Sequence, residues 1–278
     1  MALYPKQVNI DEAQLAQLTK TYKQAYVDIY NGIASATPFS QARRKQILAQ
    51  IEEILTNLGA DTQAFIEENI PKYYEAGADQ AVNQLKAIKA PIDIKTGFNV
   101  IHKQAIAALV SDTAEAFGES ISGVNRSAKA FMSQATKDAL TQKLATGQIS
   151  GEATRQIQKN LKATLNEQGL DALVDKGGHS WTLDRYTEML IRTKAVEARN
   201  TGLTNRLVEN GYDLVQVSSH GAVDVCGKWE GEILSLTGQT AGYKTLMQAE
   251  EDGLFHPNCK HAINGLTPDL ARESMACK

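Results

Sequence analysis

The spacing of the prolines constrains the fold of this chain more than any other feature. Four prolines occur early, as Pro5, Pro38, Pro71 and Pro91, and the next one is Pro257. Proline breaks helices because it lacks a backbone N–H and its ring clashes with the preceding turn. The long interval between Pro91 and Pro257 therefore permits long helices, whereas the early prolines predict shorter ones.

Apolar residues recur at helical spacing before the glycine pair at 177–178, which predicts a mainly α N-terminal region of residues 1–176. Gly59 predicts the end of the second helix, and Pro71 predicts an interruption of a third helix that starts near Asp61. No sustained heptad is present, so a long coiled coil is not expected. The first two apolar stripes are Leu15, Leu18, Tyr22, Ala25, Tyr26 and Ile29, and Ile47, Ile51, Ile54, Leu55 and Leu58.

A small C-terminal α+β module is expected over residues 180–278, after the boundary segment Lys176-Gly177-Gly178-His179-Ser180. Thr182 is placed to cap a helix that runs to about Asn210, where Gly211 ends it. The pattern then predicts a strand over Leu214–Val217, a strand over Glu232–Leu236, a short helix over Tyr243–Glu250, and a third strand at Ala262-Ile263.

Three of the five histidines and two of the three cysteines lie between His220 and His261. Thiolate and imidazole groups hold Zn²⁺ in a tetrahedral shell, and a structural site draws its ligands from two short clusters. Cys226 belongs to the first cluster, and the segment His256-Pro257-Asn258-Cys259-Lys260-His261 forms the second. The predicted ligands are Cys226, His256, Cys259 and His261, and His220 is the alternative to His256.

Other interpretations of these residues remain open at the level of the sequence. Cys226 and Cys259 can instead form a disulfide in an oxidising medium, or the residues can be ordinary buried side chains. A cysteine and histidine pair for nucleophilic catalysis needs a third, orienting group and an oxyanion donor, and the sequence identifies neither. No catalytic residue is therefore predicted.

Several segments in this region resemble the minor capsid protein 2 family of tailed phages. They are Val217-Ser218-Ser219-His220-Gly221-Ala222, then Cys226, then Trp229-Glu230-Gly231-Glu232-Ile233-Leu234-Ser235-Leu236-Thr237-Gly238, then Gly253-Leu254, and finally Asn258-Cys259-Lys260-His261. The resemblance covers about residues 190–266. Cys226 stands where the family tends to have a second histidine, and this exchange resembles the related Mu F-type head morphogenesis proteins. A metal ligand tolerates such an exchange.

The resemblance implies a minor head protein in the virion, at the portal vertex or in the capsid interior, which is made in the host cytoplasm. Its implied work is head assembly and DNA packaging or delivery. The implied partners are the portal protein and the major capsid or scaffolding protein, with packaged DNA as a further contact. No apolar run reaches the about 20 residues that span a bilayer, so no membrane partner is expected.

Charge gives little support for extensive DNA binding. The chain has 29 basic and 32 acidic residues, a net charge of -3, so a DNA contact requires a local patch. Arg185, Arg192, Arg199 and Arg206 recur every seven residues and are expected to drift slowly around one exposed side of their helix. Local ion pairs to Glu188 or Glu209 are the simpler interpretation of this row. The alternative is a docking surface for portal or DNA that includes Arg192 and Arg199.

A zinc ion with four protein ligands has no open position for water, so the predicted zinc is structural and the chain is not expected to be an enzyme. It would stabilise a module whose own apolar burial is expected to be small. The alternative function is a metal-dependent hydrolase or nuclease, or an effector delivered with the genome. In that case His220, Asp224 and His256 would flank an ion with one open position.

Overall fold

The computed structural model describes residues 10–37, 40–88, 90, 92–146, 151–168, 173–174, 180–256 and 259–267. The described chain is mainly helical and has a small sheet near its C-terminal end, as the sequence predicts. Its helices are α1 Glu12–Ala34, α2 Gln41–Ala87, α3 Val100–Thr146, α4 Gly151–Gln168, α5 Leu183–Glu209 and α6 Leu246–Glu251. Its strands are β1 Leu173–Val174, β2 Ser180–Trp181, β3 Leu214–Val217, β4 Ile233–Ser235, β5 Lys244–Thr245 and β6 Ile263–Leu266.

The chain forms two compact units that do not follow the order of the sequence. Unit 1 consists of Met1–Asp11, Ile66–Asp112 and Met189–Lys278, and unit 2 consists of Glu12–Phe65 and Thr113–Glu188. They do not coincide with the expected parts 1–176 and 180–278, because α2 and α3 each contribute residues to both units. Residues 175–179, where the boundary was expected, lie outside the described residues.

Unit 2 buries the apolar stripes that the sequence predicts for the first two helices. Leu15, Leu18, Ala25 and Ile29 of α1 are buried, as are Ile47, Ile51, Leu55 and Leu58 of α2. Tyr22 is fully buried, its hydroxyl lies 2.7 Å from Thr62 Oγ1, and its ring packs 6.1 Å from that of Phe117. Burial of these side chains removes a large apolar area from water and holds the helices together.

The helix breaks predicted at Gly59 and Pro71 do not occur, because α2 continues through both positions. Glycine costs a helix interior about 1 kcal/mol and proline about 3 kcal/mol relative to alanine. Burial of apolar side chains close to the proline, including Ile66 and Ile70, outweighs these local penalties. Tertiary packing therefore decides the length of this helix.

In unit 1, α2 and α5 contact each other through their backbones at two glycines. A Cβ atom at Gly77 would lie 1.8 Å from the carbonyl oxygen of Arg199, and one at Gly202 would lie 2.0 Å from that of Tyr74. Each helix thus presents a glycine to the other helix's carbonyl oxygen. Any larger residue at either position would force the helices apart.

The four arginines of α5 do not all lie on an exposed side of the helix. The expectation that they are exposed was wrong for Arg199 and Arg206. Arg199 and Arg206 are 4% and 1% exposed, Arg192 is half-buried, and Arg185 is exposed. The Arg199 guanidinium donates to Gln80 Oε1. A residue that recurs every seven positions shares one side of a helix, but this spacing does not reveal which side faces the core.

Arg206 ties α5 to the segment that precedes α3. Its guanidinium donates to the backbone carbonyls of Lys95, Thr96 and Gly97 at 2.9–3.3 Å, and it pairs with Glu209 at 2.5 Å. The predicted local ion pair to Glu209 is thus present. The planar guanidinium suits this role because its five N–H groups diverge in a fixed fork.

The sheet of unit 1 has the strand order β5-β4-β3-β6, in which β3 is antiparallel to β4 and β6, and β4 is parallel to β5. The strands predicted over Leu214–Val217 and Glu232–Leu236 are present as β3 and β4, whereas the third, predicted at Ala262-Ile263, begins at Ile263 and continues to Leu266. The helix expected over Tyr243–Glu250 is shorter, because β5 precedes α6 and Thr245 caps α6 in a capping box with Gln248. Gln84 of α2 extends the sheet edge by accepting from Gly265 N at 2.9 Å.

The C-terminal module does not depend on its own strands alone for a core. Ala81 and Leu85 of α2 and Leu203 and Leu207 of α5 join the cluster that contains Trp229 and the apolar side chains of the sheet. The small burial expected for an isolated module is therefore increased by α2. Among the described helices, none combines the length and apolar character needed to cross a bilayer.

Candidate metal centre

The pairing of β3 with β6 brings the two cysteine-bearing loops side by side. Val217 is paired with Ile263 at one end of the antiparallel ladder. Beyond that end, Ser218 N donates to Ala262 O at 2.8 Å, and Ala262 N donates to Ser218 Oγ at 3.0 Å. The residues that follow β3 therefore lie beside those that precede β6, although the two loops are distant in the sequence.

Cys226, His256 and Cys259 meet at this position. Their ligand atoms all lie within 4.8 Å of one another, which makes them one of two groups in the described chain with the composition of a metal site. Cys226 Sγ is 3.2 Å from His256 Nε2 and 3.7 Å from Cys259 Sγ. Three of the four ligands predicted from the sequence are thus together.

These distances fit the edges of a zinc coordination tetrahedron. Zn–S bonds of about 2.3 Å and Zn–N bonds of about 2.0 Å imply tetrahedral edges of about 3.8 Å between sulfurs and about 3.6 Å between sulfur and nitrogen. The observed sulfur–sulfur separation matches the first value, and the 3.2 Å separation of Cys226 Sγ from His256 Nε2 is slightly shorter than the second. A small outward movement of the side chains would admit the ion.

The fourth predicted ligand, His261, adjoins this group through Cys259. His261 Nδ1 lies 3.2 Å from Cys259 Sγ, and the imidazole is buried. Asp224 is on the other side, with Oδ1 2.8 Å from Cys226 Sγ and Oδ2 3.3 Å from His256 Nε2. The fourth position of a coordination shell formed by Cys226, His256 and Cys259 can therefore be filled by an imidazole or by a carboxylate.

The electrostatics of the site favour a cation. Burial, together with the hydrogen bonds to Asp224 and Cys259, raises the pKa of Cys226 to about 12. Two sulfurs and a carboxylate in close contact oppose the development of a further negative charge. A bound metal cation reverses this effect, because it deprotonates the thiols that coordinate it.

A second group of possible metal ligands consists of His220, Glu230 and His261. His261 therefore adjoins both groups. Glu230 Oε1 is 3.2 Å from His261 Nε2 and 3.7 Å from His220 Nδ1, and the two imidazole rings pack with centroids 4.3 Å apart. Hydrogen bonds from the backbone N–H groups of Ala222 and His220 hold the pKa of Glu230 at about 2. Burial lowers the pKa of His261.

Glu230 is not among the site residues predicted from the sequence. Its carboxylate accepts from the backbone N–H groups of His220, Gly221 and Ala222 at 2.8–3.2 Å, so it closes the loop that follows β3. Only the three-dimensional course of that loop makes this role visible. His220, the alternative ligand, belongs to the Glu230 group and not to the cysteine group.

The local backbone explains how His256 and Cys259 face the same point. Cys259 N donates to His256 O at 2.8 Å, which holds these two residues close together; Pro257 and Asn258 lie outside the described residues. Phe255, immediately before His256, has a φ of 60°, in the left-handed region that non-glycine residues rarely adopt. Phe255 also packs against the core cluster, which offsets the strain.

A cleft of about 1390 Å³ in unit 1 borders the centre, and its walls include His220, His256, Cys259 and His261. At another part of the wall, His102 links the Tyr74 hydroxyl at 2.7 Å to Glu209 at 3.1 Å. Both ring nitrogens of this histidine are engaged inside the protein. The network of Tyr74, His102 and Glu209 therefore holds the wall of the cleft in place.

Comparison with known proteins identifies a matching family and extends the local resemblance to nearly the whole chain. Comparisons with curated proteins and with solved structures gave no match. The family model described as phage minor capsid protein 2 matches residues 12–276, which include all of unit 2, most of unit 1 and the candidate metal centre. The chain therefore belongs to the phage minor capsid protein 2 family.

Proposed function

We propose that this chain is a non-catalytic minor head protein that acts at or near the portal vertex in head assembly and in DNA packaging or delivery. One structural Zn²⁺, bound by Cys226, His256, Cys259 and His261, holds the two loops of unit 1 in a fixed arrangement. Family membership supports a phage minor capsid protein in the virion. The convergence of Cys226, His256 and Cys259 is the observation that carries the metal assignment.

The donor set supports zinc and a structural role. Two thiolates and two imidazoles form one of the common tetrahedral zinc shells, and four protein ligands leave no position for a reactive water. The ion would contribute to folding, because its ligands come from loops that are far apart in the sequence. The ion itself would not contact the partner proteins, which would bind to side chains of this chain.

The portal protein and the major capsid or scaffolding protein are the proposed partners, with packaged DNA as a further contact. Exposed apolar side chains support a protein partner, since Val100 and Ile101 at the start of α3 are 65% and 64% exposed. Arg192 is half-buried at the wall of the cleft, and docking through it remains a prediction. Arg199 would have to leave its buried position to take part.

The experiment is complementation of a phage that lacks this gene with the Cys259→Ser variant, and Cys277→Ser serves as the matched control. We expect Cys259→Ser to reduce the number of DNA-filled heads and the amount of the protein in purified particles. The control is expected to package normally. Normal packaging and normal incorporation of Cys259→Ser would contradict the proposal, and a cryo-EM map of wild-type particles would test the position at the vertex.

The metal-dependent hydrolase remains the rival function. Asp224 and His256 are in contact at 3.3 Å, whereas His220 is grouped with Glu230 and His261. The three residues of the rival site therefore do not form one group of ligands in the described chain. If His220→Ala abolished a DNA-hydrolysing activity while the zinc content and the fold of the protein stayed intact, the rival function would be favoured.

A further inference from the structure

We infer that Glu230 is the positioning residue of the metal centre: it accepts a hydrogen bond from Nε2–H of His261 and thereby presents Nδ1 of that ring to the ion. This inference rests on the proposed zinc site and adds a residue to it. The geometry that points to it is the placement of His261 between two groups. Its Nδ1 lies 3.2 Å from Cys259 Sγ, and its Nε2 lies 3.2 Å from Glu230 Oε1.

An imidazole binds a metal through one nitrogen, and the hydrogen bond at the other nitrogen selects the tautomer. A carboxylate that accepts from the distal nitrogen fixes the plane of the ring and increases the basicity of the ligating nitrogen. Glu230 occupies this position relative to His261. The carboxylate therefore holds the proton on Nε2 and leaves the Nδ1 lone pair directed towards Cys259.

Glu230 is itself fixed, which a positioning residue must be. Its Oε1 accepts from His220 N at 2.8 Å and from Ala222 N at 3.0 Å, and its Oε2 accepts from Gly221 N at 3.2 Å. Trp229, the preceding residue, is buried in the core of unit 1. The carboxylate is thus anchored at its head by three backbone N–H groups and at its base by the core.

These hydrogen bonds also argue against a second metal ion between His220, Glu230 and His261. An ion at that position would compete with the backbone N–H groups of His220, Gly221 and Ala222 for the oxygens of Glu230. His220 differs from His261 in exposure, since 38% of its side chain is accessible compared with 0%. We therefore assign His220 to packing on the His261 ring.

The test compares zinc affinity, measured by competition with a chelator, in the wild type, Glu230→Ala, Glu230→Gln and the control Glu251→Gln. Glu251 is an exposed carboxylate at the end of α6. We expect Glu230→Ala to lower the affinity about 10- to 100-fold, as is typical when a ligand loses its carboxylate partner. Glu230→Gln should lose less, because one amide oxygen can replace Oε1, and the control should match the wild type.

Two further readouts separate positioning from a general loss of structure. In the His261→Ala background, Glu230→Gln and Glu230→Ala should cause no additional loss of zinc affinity, since their effect passes through the absent ring. Imidazole ¹⁵N chemical shifts of the zinc-loaded wild type should show a protonated Nε2 and a coordinated Nδ1 in His261. Glu230→Gln, which retains Oε1, permits both measurements if Glu230→Ala does not fold.

The inference is overturned if Glu230→Ala binds zinc as tightly as the control. It is also overturned if the Glu230 variants lower the zinc affinity by the same factor in the presence and in the absence of His261, or if His261 coordinates through Nε2. In these cases the proposed zinc site still stands. Absence of zinc from the correctly folded wild type overturns both this inference and the proposed site.

Discussion

The sulfur atoms of Cys226 and Cys259 lie 3.7 Å apart, although 33 residues separate the two cysteines along the chain. The antiparallel pairing of β3 with β6 produces this proximity. The separation equals a tetrahedral edge of a zinc site, and it is well above the about 2.05 Å of a disulfide bond. Both cysteines are free thiols in the structure.

This relationship predicts the state of the thiols in purified protein. We expect Cys226 and Cys259 to resist alkylation in the metal-loaded chain and to react with iodoacetamide after a chelator removes the ion, because coordinated thiolates are shielded. Peptide mass spectrometry without reduction measures both states. Recovery of a peptide in which Cys226 is linked to Cys259, from protein isolated under non-oxidising conditions, would contradict the prediction.

The contact between α2 and α5 predicts a strong effect of a single methyl group. Gly202→Ala should lower the free energy of unfolding by about 1–3 kcal/mol or more, because the new Cβ meets the backbone of Tyr74 and cannot be accommodated by a side-chain movement. Urea titration followed by tryptophan fluorescence measures the change.

Gly118→Ala in α3 is the matched control for this substitution. Gly118 has no atom within 4 Å of an added Cβ, so alanine should be neutral or stabilise the helix by up to about 1 kcal/mol. Equal stabilities of the two variants would show that the helices do not approach each other as closely as the structure indicates.

Asp213 predicts a pH dependence of stability. Burial raises its pKa, but hydrogen bonds from Ser235, Thr237 and Thr240 outweigh this and lower the pKa of Asp213 to about 2. A carboxylate whose pKa is lowered by folding stabilises the protein above its unfolded pKa of about 3.9, and this contribution disappears as the pH falls towards 2. Asp213→Asn should therefore destabilise the chain by about 1–2 kcal/mol at pH 7, after allowance for partial exposure.

The difference between the wild type and Asp213→Asn should decrease between pH 5 and about pH 2, and thermal melting at several pH values measures it. Asp79→Asn, at an exposed position of α2, serves as the control and should show no such trend. A difference in melting temperature that is constant over the whole pH range would refute the assignment.

Arg206 predicts that charge alone is insufficient at its position. Arg206→Lys keeps the positive charge but loses the fork that reaches the carbonyls of Lys95, Thr96 and Gly97. We expect destabilisation of about 2 kcal/mol, since these carbonyl groups lose hydrogen bonds from a charged donor that is itself buried. Arg185→Lys, at an exposed position of the same helix, should be neutral, and an equally small effect of both substitutions in chemical denaturation would contradict the role of Arg206.

The parts of the fold that were predictable from the sequence are those set by local patterns. The stripe that contains Leu15 and Ile29 is buried as predicted, and the short apolar segment Leu214–Val217 forms a strand. Gly59 and Pro71 are local signals of a helix break, but long-range packing of α2 overrides them.

The cysteines and histidines of the candidate site were predictable from the sequence, but the residues that surround them were not. Cysteine and histidine at this spacing indicated a metal site, and three of the four chosen residues converge. Glu230 carries no local signal, because its function depends on three backbone N–H groups that the loop folds around it. The burial of Arg199 was missed because a seven-residue repeat does not specify the side of the helix that faces the core.

X-ray absorption at the zinc edge of the purified, folded chain tests the central claim most directly. The account predicts about one tightly bound zinc per chain, with two sulfur neighbours at about 2.3 Å and two nitrogen neighbours at about 2.0 Å. Replacement of Cys259 by serine should remove one sulfur from this shell or abolish binding. A chain that contains no zinc, or whose zinc has only oxygen and nitrogen neighbours, would contradict the account.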